Sequence, residues 1–216
     1  KRVMAILNPL KLIIDNYDDE KTEEIECENH PNNEKFGKRL LPFSKILYIE
    51  RDDFAEIPPK KYKRLYIGNE VRLKSAYYIT CVGVDKDING NITAVHCTYD
   101  PESRGGQTSD GRKVRGTIHW VDAKNSEKAD IRLYDRLFNV KNPSDETDGN
   151  FLNNINPNSL IEIKDCIVEK SLINAKPEEN FQFIRNGYFC LDKSSTSEKL
   201  VFNRTVELNS SYKPEK

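Results

Sequence analysis

The stretch Glu70-Val71-Arg72-Leu73-Lys74 alternates apolar and cationic side chains with a period of two. In an extended strand, successive side chains point to opposite faces. Val71 and Leu73 then share one face, Arg72 and Lys74 the other. The apolar face can pack on a core while the cationic face meets solvent or a polyanion. The same period runs through most of the chain. It predicts strands over Arg2–Leu7, Lys11–Tyr17, Ile46–Arg51, Val71–Val84, Asn91–Tyr99, Lys113–Val121, Ile131–Phe138, Leu160–Val168, Phe181–Leu191 and Leu200–Leu208. Turn signals separate them, among them Asn8-Pro9, Asn89-Gly90, Arg104-Gly105-Gly106, Asp110-Gly111, Asn142-Pro143 and Asn186-Gly187. One short helix is expected at Gly149–Ile155, with Asp148 as N-cap and a stop before Asn156-Pro157. Strands without alternating helices indicate an all-β sandwich or barrel rather than a parallel nucleotide-binding sheet.

The composition allows such a core. Charged residues make up 32% of the 216, yet ten Tyr, nine Phe and one Trp keep the chain outside the disordered regime. The glycine-rich Glu102–Gly111 loop is a natural midpoint between two β domains. Asp18–Glu28 and the tail after Asn209 read as solvated. No stretch reaches the roughly 18–20 apolar residues of a membrane helix. Lys1-Arg2-Val3 runs directly into an apolar segment, which suggests a piece of a longer protein or a processed chain. Five scattered cysteines, none in C-x-x-C spacing, fit free thiols in a reducing compartment and no structural zinc. A net charge of −1 leaves the placement of the 34 Lys and Arg to decide about nucleic acid.

Candidate catalytic groups do not assemble. His96 and Cys97 are neighbours in a strand, so they face opposite ways and cannot form a dyad. With Asn89-Gly90 as a two-residue turn, residue 81 faces 98, which puts Cys97 opposite residue 82 and on the other face from Cys81. His119-Trp120 closes a strand and reads as a hydrogen-bonded core or interface pair. Asp52-Asp53, next to Arg51, reads as a turn start. The carboxylates form no motif in an apolar setting that would split two pKa values. Neither phosphate-binding glycine loops nor a serine elbow occur.

The cations do form a pattern. Lys60-Lys61-Tyr62-Lys63-Arg64-Leu65-Tyr66 carries four cations and two tyrosines. Lys113 and Arg115, Arg132 and Arg136, and Phe181-Gln182-Phe183-Ile184-Arg185 extend it. Arginine forks read phosphates and base edges, and aromatic rings stack on bases. Single-stranded RNA binding and a β-sheet protein-interaction module would both explain such stripes.

These residues also carry a resemblance. Arg2–Lys11, Asn29–Asn32, Tyr62–Lys74, His96–Asp100, Asp110–Trp120, Arg132–Phe138, Phe181–Cys190 and Val201–Val206 are collinear with the anticodon-binding region of the glutaminyl-tRNA synthetase family, and the bacterial type is the most similar. The resemblance implies two six-stranded β-barrels with exchanged strands, the first over about residues 1–110 and the second over 111–216. It implies a parent ligase that charges glutamine tRNA using ATP and Mg²⁺. The class I catalytic domain of that polypeptide, with its ATP-binding motifs, lies outside this chain. The chain itself would be non-catalytic and without a cofactor or metal, its partners glutamine tRNA and that catalytic domain, with no membrane, in a cytoplasmic monomer.

Residue by residue, the resemblance implies that Arg72 reads the first anticodon base with Lys74 beside it. Arg2, Gln182 and Arg185 would surround the middle uracil, and Arg64 would bind the third base, a guanine. Lys61 and Lys63 would hold backbone, and Pro31 and Asn32 would touch the neighbouring loop. The chemistry suits these roles, since arginine pairs bidentately with guanine and an amide matches the donor and acceptor of uracil. Lys61 stands where many relatives have glutamine, and Lys74 where some have arginine. A lysine lacks the planar fork, so the first-base contact is expected to be looser. Gln182 and Arg185 are three apart, so a twist or bulge before Asn186-Gly187 is needed for both to meet one base. A two-barrel glutamyl-tRNA synthetase is the nearest alternative, and a non-catalytic β-barrel RNA- or protein-interaction module the more distant one.

Overall fold

The computed structural model describes residues 1–108, 110–145 and 150–208. Regular structure among them is nearly all extended. The strands are β1 (Arg2–Val3), β2 (Ala5–Ile6), β3 (Pro9–Ile14), β4 (Glu23–Glu28), β5 (Lys38–Phe43), β6 (Ile46–Glu50), β7 (Glu70–Leu73), β8 (Tyr78–Lys86) and β9 (Ile92–Tyr99). There follow β10 (Thr117–Ile118), β11 (Val121–Asp122), β12 (Ser126–Tyr134), β13 (Leu160–Glu169), β14 (Asn180–Phe183), β15 (Gly187–Leu191) and β16 (Leu200–Val206).

Two sheets and one hairpin organise them. The first sheet has the order β10-β7-β8-β9-β3-β6-β11, and the second β1-β14-β15-β16-β12-β13-β2. In each sheet the two outermost strands are consecutive in sequence. Residues 117–122 pair with β7 through β10 and with β6 through β11. Residues 2–6 pair with β14 through β1 and with β13 through β2. Each segment is thus one broken strand that touches both edges of its sheet and closes it. Counted that way, each unit is a ring of six, and closure removes the free edges that an open sheet would expose.

The closing strands are exchanged. Residues 2–6 precede the first barrel's strands yet close the second. Residues 117–122 follow them and close the first. The apolar run Val3-Met4-Ala5-Ile6 accounts for this position. Val3 and Ala5 belong to the core of the second barrel, with Phe181, Phe183, Phe189 and Phe202. Met4 and Ile6 point the other way, into the core of the first, with Leu12, Phe43 and Trp120. Strict alternation with both faces apolar lets one strand serve two cores.

Polar groups lock the junction. Glu50, at the end of β6, accepts from the backbone N–H groups of Leu7 (2.9 Å) and Asn8 (3.0 Å) and from Asn186 Nδ2 (3.1 Å). His119 Nε2 donates to the Ala5 carbonyl at 2.9 Å and stands 3.8 Å from Glu50. A carbonyl only accepts, so Nε2 carries the proton. Burial alone would raise the Glu50 carboxyl, but His119 and the Leu7 and Asn8 N–H groups outweigh it and hold the carboxyl below its ordinary value. His119 and Trp120 are both buried, and Trp120 Nε1 donates to the Lys74 carbonyl (2.9 Å), as expected for a hydrogen-bonded core pair.

Several expected ranges change. The acidic stretch is not all solvated: β4 buries Ile25 and Cys27 between exposed Glu24, Glu26 and Glu28, and pairs with β5. The acidic outer face hides the alternation. That hairpin is tied to the second barrel by Arg39, whose Nη2 donates to Glu169 at 2.8 Å while Glu169 accepts from the Met4 N–H at 2.7 Å. Val71–Val84 is two strands around a turn in which Ser75 has φ +62°. The expected helix is a 3₁₀ turn, Phe151–Asn154, capped by the Asn150 side chain. Asp148 and Gly149, like the tail from Asn209, lie outside the described residues.

The β8–β9 register also differs. Asp87 pairs with Asn91 around a three-residue loop with Gly90 at φ +82°, and the ladder shifts between Cys81 and Gly83. Cys81 therefore lies directly opposite Cys97, not opposite residue 98. Both thiols are free and buried, and contact with Cys81 together with burial pushes the Cys97 thiol up. His96 does face away from Cys97, bonded to Asp15 (2.8 Å) and Asp85 (3.0 Å).

Glu50 gives the junction a pH dependence. A depressed folded-state pKa adds stability that is complete above the ordinary carboxylate range and lost as pH falls through the folded value. We predict that Glu50→Gln costs about 1.5–3 kcal/mol at pH 7. Urea titrations of both proteins should converge as pH falls below 4.5, the ordinary value of this carboxyl.

Candidate nucleic-acid interface

The basic segment 60–66 is not a strand. It runs as a loop between β6 and β7, held at two points. Leu65 is fully buried and forms an isolated parallel bridge with Phe54. Tyr62 donates its hydroxyl to the Asp52 carbonyl at 3.0 Å. Lys61 has φ +64°, and Lys61 and Lys63 are exposed. Opposite Lys63 lies Gly116, with φ +102°, where an added Cβ would come within 1.8 Å of the Lys63 carbonyl oxygen. The loop can reach its place only because that position has no side chain.

Arg64 and Arg185 meet at one carboxylate. Asp53 ends the 3₁₀ turn Arg51–Asp53 after β6, and its side chain is 0% exposed. Arg185 Nη1 donates to Asp53 Oδ2 at 2.6 Å, and Arg64 Nη1 stands 3.2 Å from Oδ1. Arg64 Nη1 also donates to the Asp52 carbonyl at 3.1 Å. The two arginine side chains remain 41% and 31% exposed. Arg185 comes from the second barrel. It sits not in a strand but in the loop between β14 and β15, at φ +69°. In place of a twist or bulge that aims Gln182 and Arg185 at one base, this left-handed turn carries Arg185 to Asp53 while Gln182 accepts from Arg2.

Gln182 and Arg2 form a second cluster. They are paired across β14 and β1, with Arg2 Nε donating to Gln182 Oε1 at 2.6 Å. The Arg2 N–H bonds the Asn29 carbonyl (2.8 Å), which ties this pair to the loop of Pro31 and Asn32. Pro31 and Asn32 are exposed, and the Asn32 N–H bonds His30 Nδ1 at 3.2 Å. Of the three residues expected around the middle base, the structure brings Arg2 and Gln182 together and gives Arg185 to Asp53.

Arg72 and Lys74 line a third area, an open cleft of about 370 Å³ shared with Glu26, Glu28 and Lys38. Arg72 Nη2 donates to the Tyr78 hydroxyl at 3.0 Å, and its guanidinium lies 5.3 Å from the Tyr78 ring centre. Arg112 lies 5.4 Å from the same ring and is held by Glu70 and Asp100 at 2.8 and 2.6 Å. Gly106, φ +81°, lets backbone approach Arg72, since a Cβ there would be 2.7 Å from its Nε. Not every basic stripe is available: Arg132 is bound to Glu162 at 3.1 Å and lies 3.5 Å from Asp192.

Sequence reasoning missed Asp53. Its partners lie 132 residues away in Arg185 and, in Arg64, at the far end of the basic loop, so no local spacing marks it. Arg112, whose partner Glu70 is 42 residues away, was missed for the same reason, and Tyr78 because it meets Arg72 only across the β7–β8 turn.

A closed pair of β-barrels that brings arginines from both units to one surface is compatible with a nucleic-acid-binding class, and comparison gives the family. Two families share the description "tRNA synthetases class I (E and Q), anti-codon binding domain"; one matches residues 1–100 and the other residues 117–192. The chain is 53% identical to a glutamine–tRNA ligase of Clostridium perfringens over 214 residues, 98% of this chain and 38% of the relative. It is 52% identical to one from Alteromonas mediterranea over 212 residues, again 98% and 38%. A Haemophilus influenzae glutamine–tRNA ligase is 51% identical over 212 residues, 98% of this chain and 37% of its own length. The chain belongs to the glutaminyl-tRNA synthetase family, of which it is the anticodon-binding, and hence tRNA-binding, part. It spans less than two fifths of the length of these relatives. The named relatives favour the glutaminyl branch over the glutamyl alternative.

The close approach at Gly116 yields a direct check. Gly116→Ala should cost about 3 kcal/mol or more in urea denaturation, from backbone strain plus overpacking against the Lys63 carbonyl. It should also weaken tRNA binding by displacing the basic loop.

Proposed function

We propose that this chain reads the anticodon loop of glutamine tRNA for a class I catalytic domain in the same polypeptide. The observation that carries this reading is the meeting of Arg64 and Arg185, from different barrels, at the buried Asp53. Among the described residues no hydrogen-bond partner engages Arg64 at Nε or Nη2, so that edge is available for the two acceptors of a guanine. Arg64 then takes the third base. Arg2, Gln182 and Arg185 take the middle uracil, whose donor and acceptor match the amide and guanidinium groups. Arg72 and Lys74 take the first base, with the Tyr78 ring behind the guanidinium as a rigid support. Lys61 and Lys63 hold phosphate, while Pro31 and Asn32 touch the adjoining loop. Such splayed-out bases are the usual targets of sequence-specific RNA readers.

The parent protein would charge that tRNA with glutamine, using ATP and Mg²⁺ bound outside this chain. Among the described residues no group of three or more His, Cys, Asp or Glu could hold a metal ion. The protein would act in the cytoplasm as a monomer. Among the described residues no helix is long and apolar enough to cross a membrane.

Filter binding with glutamine tRNA and anticodon variants tests the reading. Arg64→Ala should reduce discrimination at the third base by ~1–3 kcal/mol. Lys63→Ala should weaken all tRNAs about equally and lower the salt slope by about one. Equal affinity of the unmodified protein for every tRNA would overturn the proposal.

A further inference from the structure

Asp53 is a fully buried carboxylate outside the residues already assigned. Its side chain has no exposed surface, and two arginines stand on it, one from each barrel. Leaving a carboxylate buried without cations is costly, so its charge fixes where both guanidinium groups sit. Each arginine uses Nη1 toward Asp53. Oδ1 is buried and has no hydrogen-bond partner among the described residues, only the 3.2 Å approach of Arg64. One acceptor of the carboxylate is therefore only partly satisfied.

We propose that Asp53 is a positioning residue that couples recognition of the second and third anticodon bases, a step that rests on the assignment of Arg185 and Arg64 to those bases. When a guanine takes the Nε and Nη2 edge of Arg64, Nη1 is turned onto Oδ1 and the last acceptor is satisfied. The same carboxylate then holds Arg185 from its other oxygen. A wrong third base leaves Oδ1 short of a donor and loosens the clamp on Arg185. Discrimination at the two positions is thus one cooperative property, carried by a group that touches neither base.

The test uses the full-length protein and filter binding of glutamine tRNA together with transcripts altered at the second base, the third base, or both. For the unmodified protein the double base change should cost less than the product of the two single changes. Asp53→Asn keeps the shape but removes the charge. It should lower the preference at both positions by about tenfold each. A merely structural role would weaken all four tRNAs alike. Arg64→Ala supplies a second arm that does not depend on Asp53→Asn folding: it should reduce preference at the second base as well as the third. Independent base costs in the unmodified protein, or an Arg64→Ala effect confined to the third base, would overturn the coupling while leaving the anticodon reading intact. If neither Arg64→Ala nor Arg185→Ala alters any base preference, the anticodon assignment itself fails.

Discussion

Two strands carry the architecture by being in the wrong barrel. Residues 2–6 and 117–122 each close a ring whose other strands lie elsewhere in the sequence, and they touch where His119 bonds the Ala5 carbonyl. The exchange works because Val3 to Ile6 has no polar face to offer. Met4 and Ile6 fill one core, Val3 and Ala5 the other. The backbone between the barrels still needs partners, and Glu50 and Asn186 supply them. Apolar area gives the junction its strength, whereas the Glu50 hydrogen bonds give it a single register.

The binding surface depends on that register. Arg64 belongs to a loop of the first barrel and Arg185 to a turn of the second, yet both must reach Asp53. A small rotation of one barrel against the other would part them. The local backbone is equally specialised, since Arg185 and Lys61 adopt left-handed conformations and Gly116 and Gly106 admit close approaches that a side chain would block. Non-glycine residues in such conformations carry strain, which the packed strands on either side sustain.

The alternation of Glu70–Lys74 and its repeats made the all-β class legible, because half-buried strands leave a period of two. The hairpin of β4 and β5 was not legible: glutamates on its outer face mask the buried Ile25 and Cys27. The Cys81–Cys97 pairing failed for a different reason. One bulge reverses a face, and nothing in Val82-Gly83 announces it. At the site, the cations stood out by composition. Their groupings did not, because the Asp53–Arg185 and Arg2–Gln182 contacts are products of long-range closure. The roles given to Arg2, Arg64, Arg72 and Arg185 came from resemblance to a family, and the physics of the sequence alone left RNA and protein partners both open.

The exchanged strands also order events in time. A ribosome delivers residues 2–6 first, but their partners in β13 and β14 emerge only after some 160 to 180 further residues. The first barrel, though its long strands are complete by Tyr99, stays open until residues 117–122 arrive. The first ring can therefore close once residue 122 is out, whereas the second must wait for β12 to β16. Until the second sheet assembles, Val3 to Ile6 remains an apolar segment with at most one of its two faces covered, and it needs protection from aggregation during synthesis.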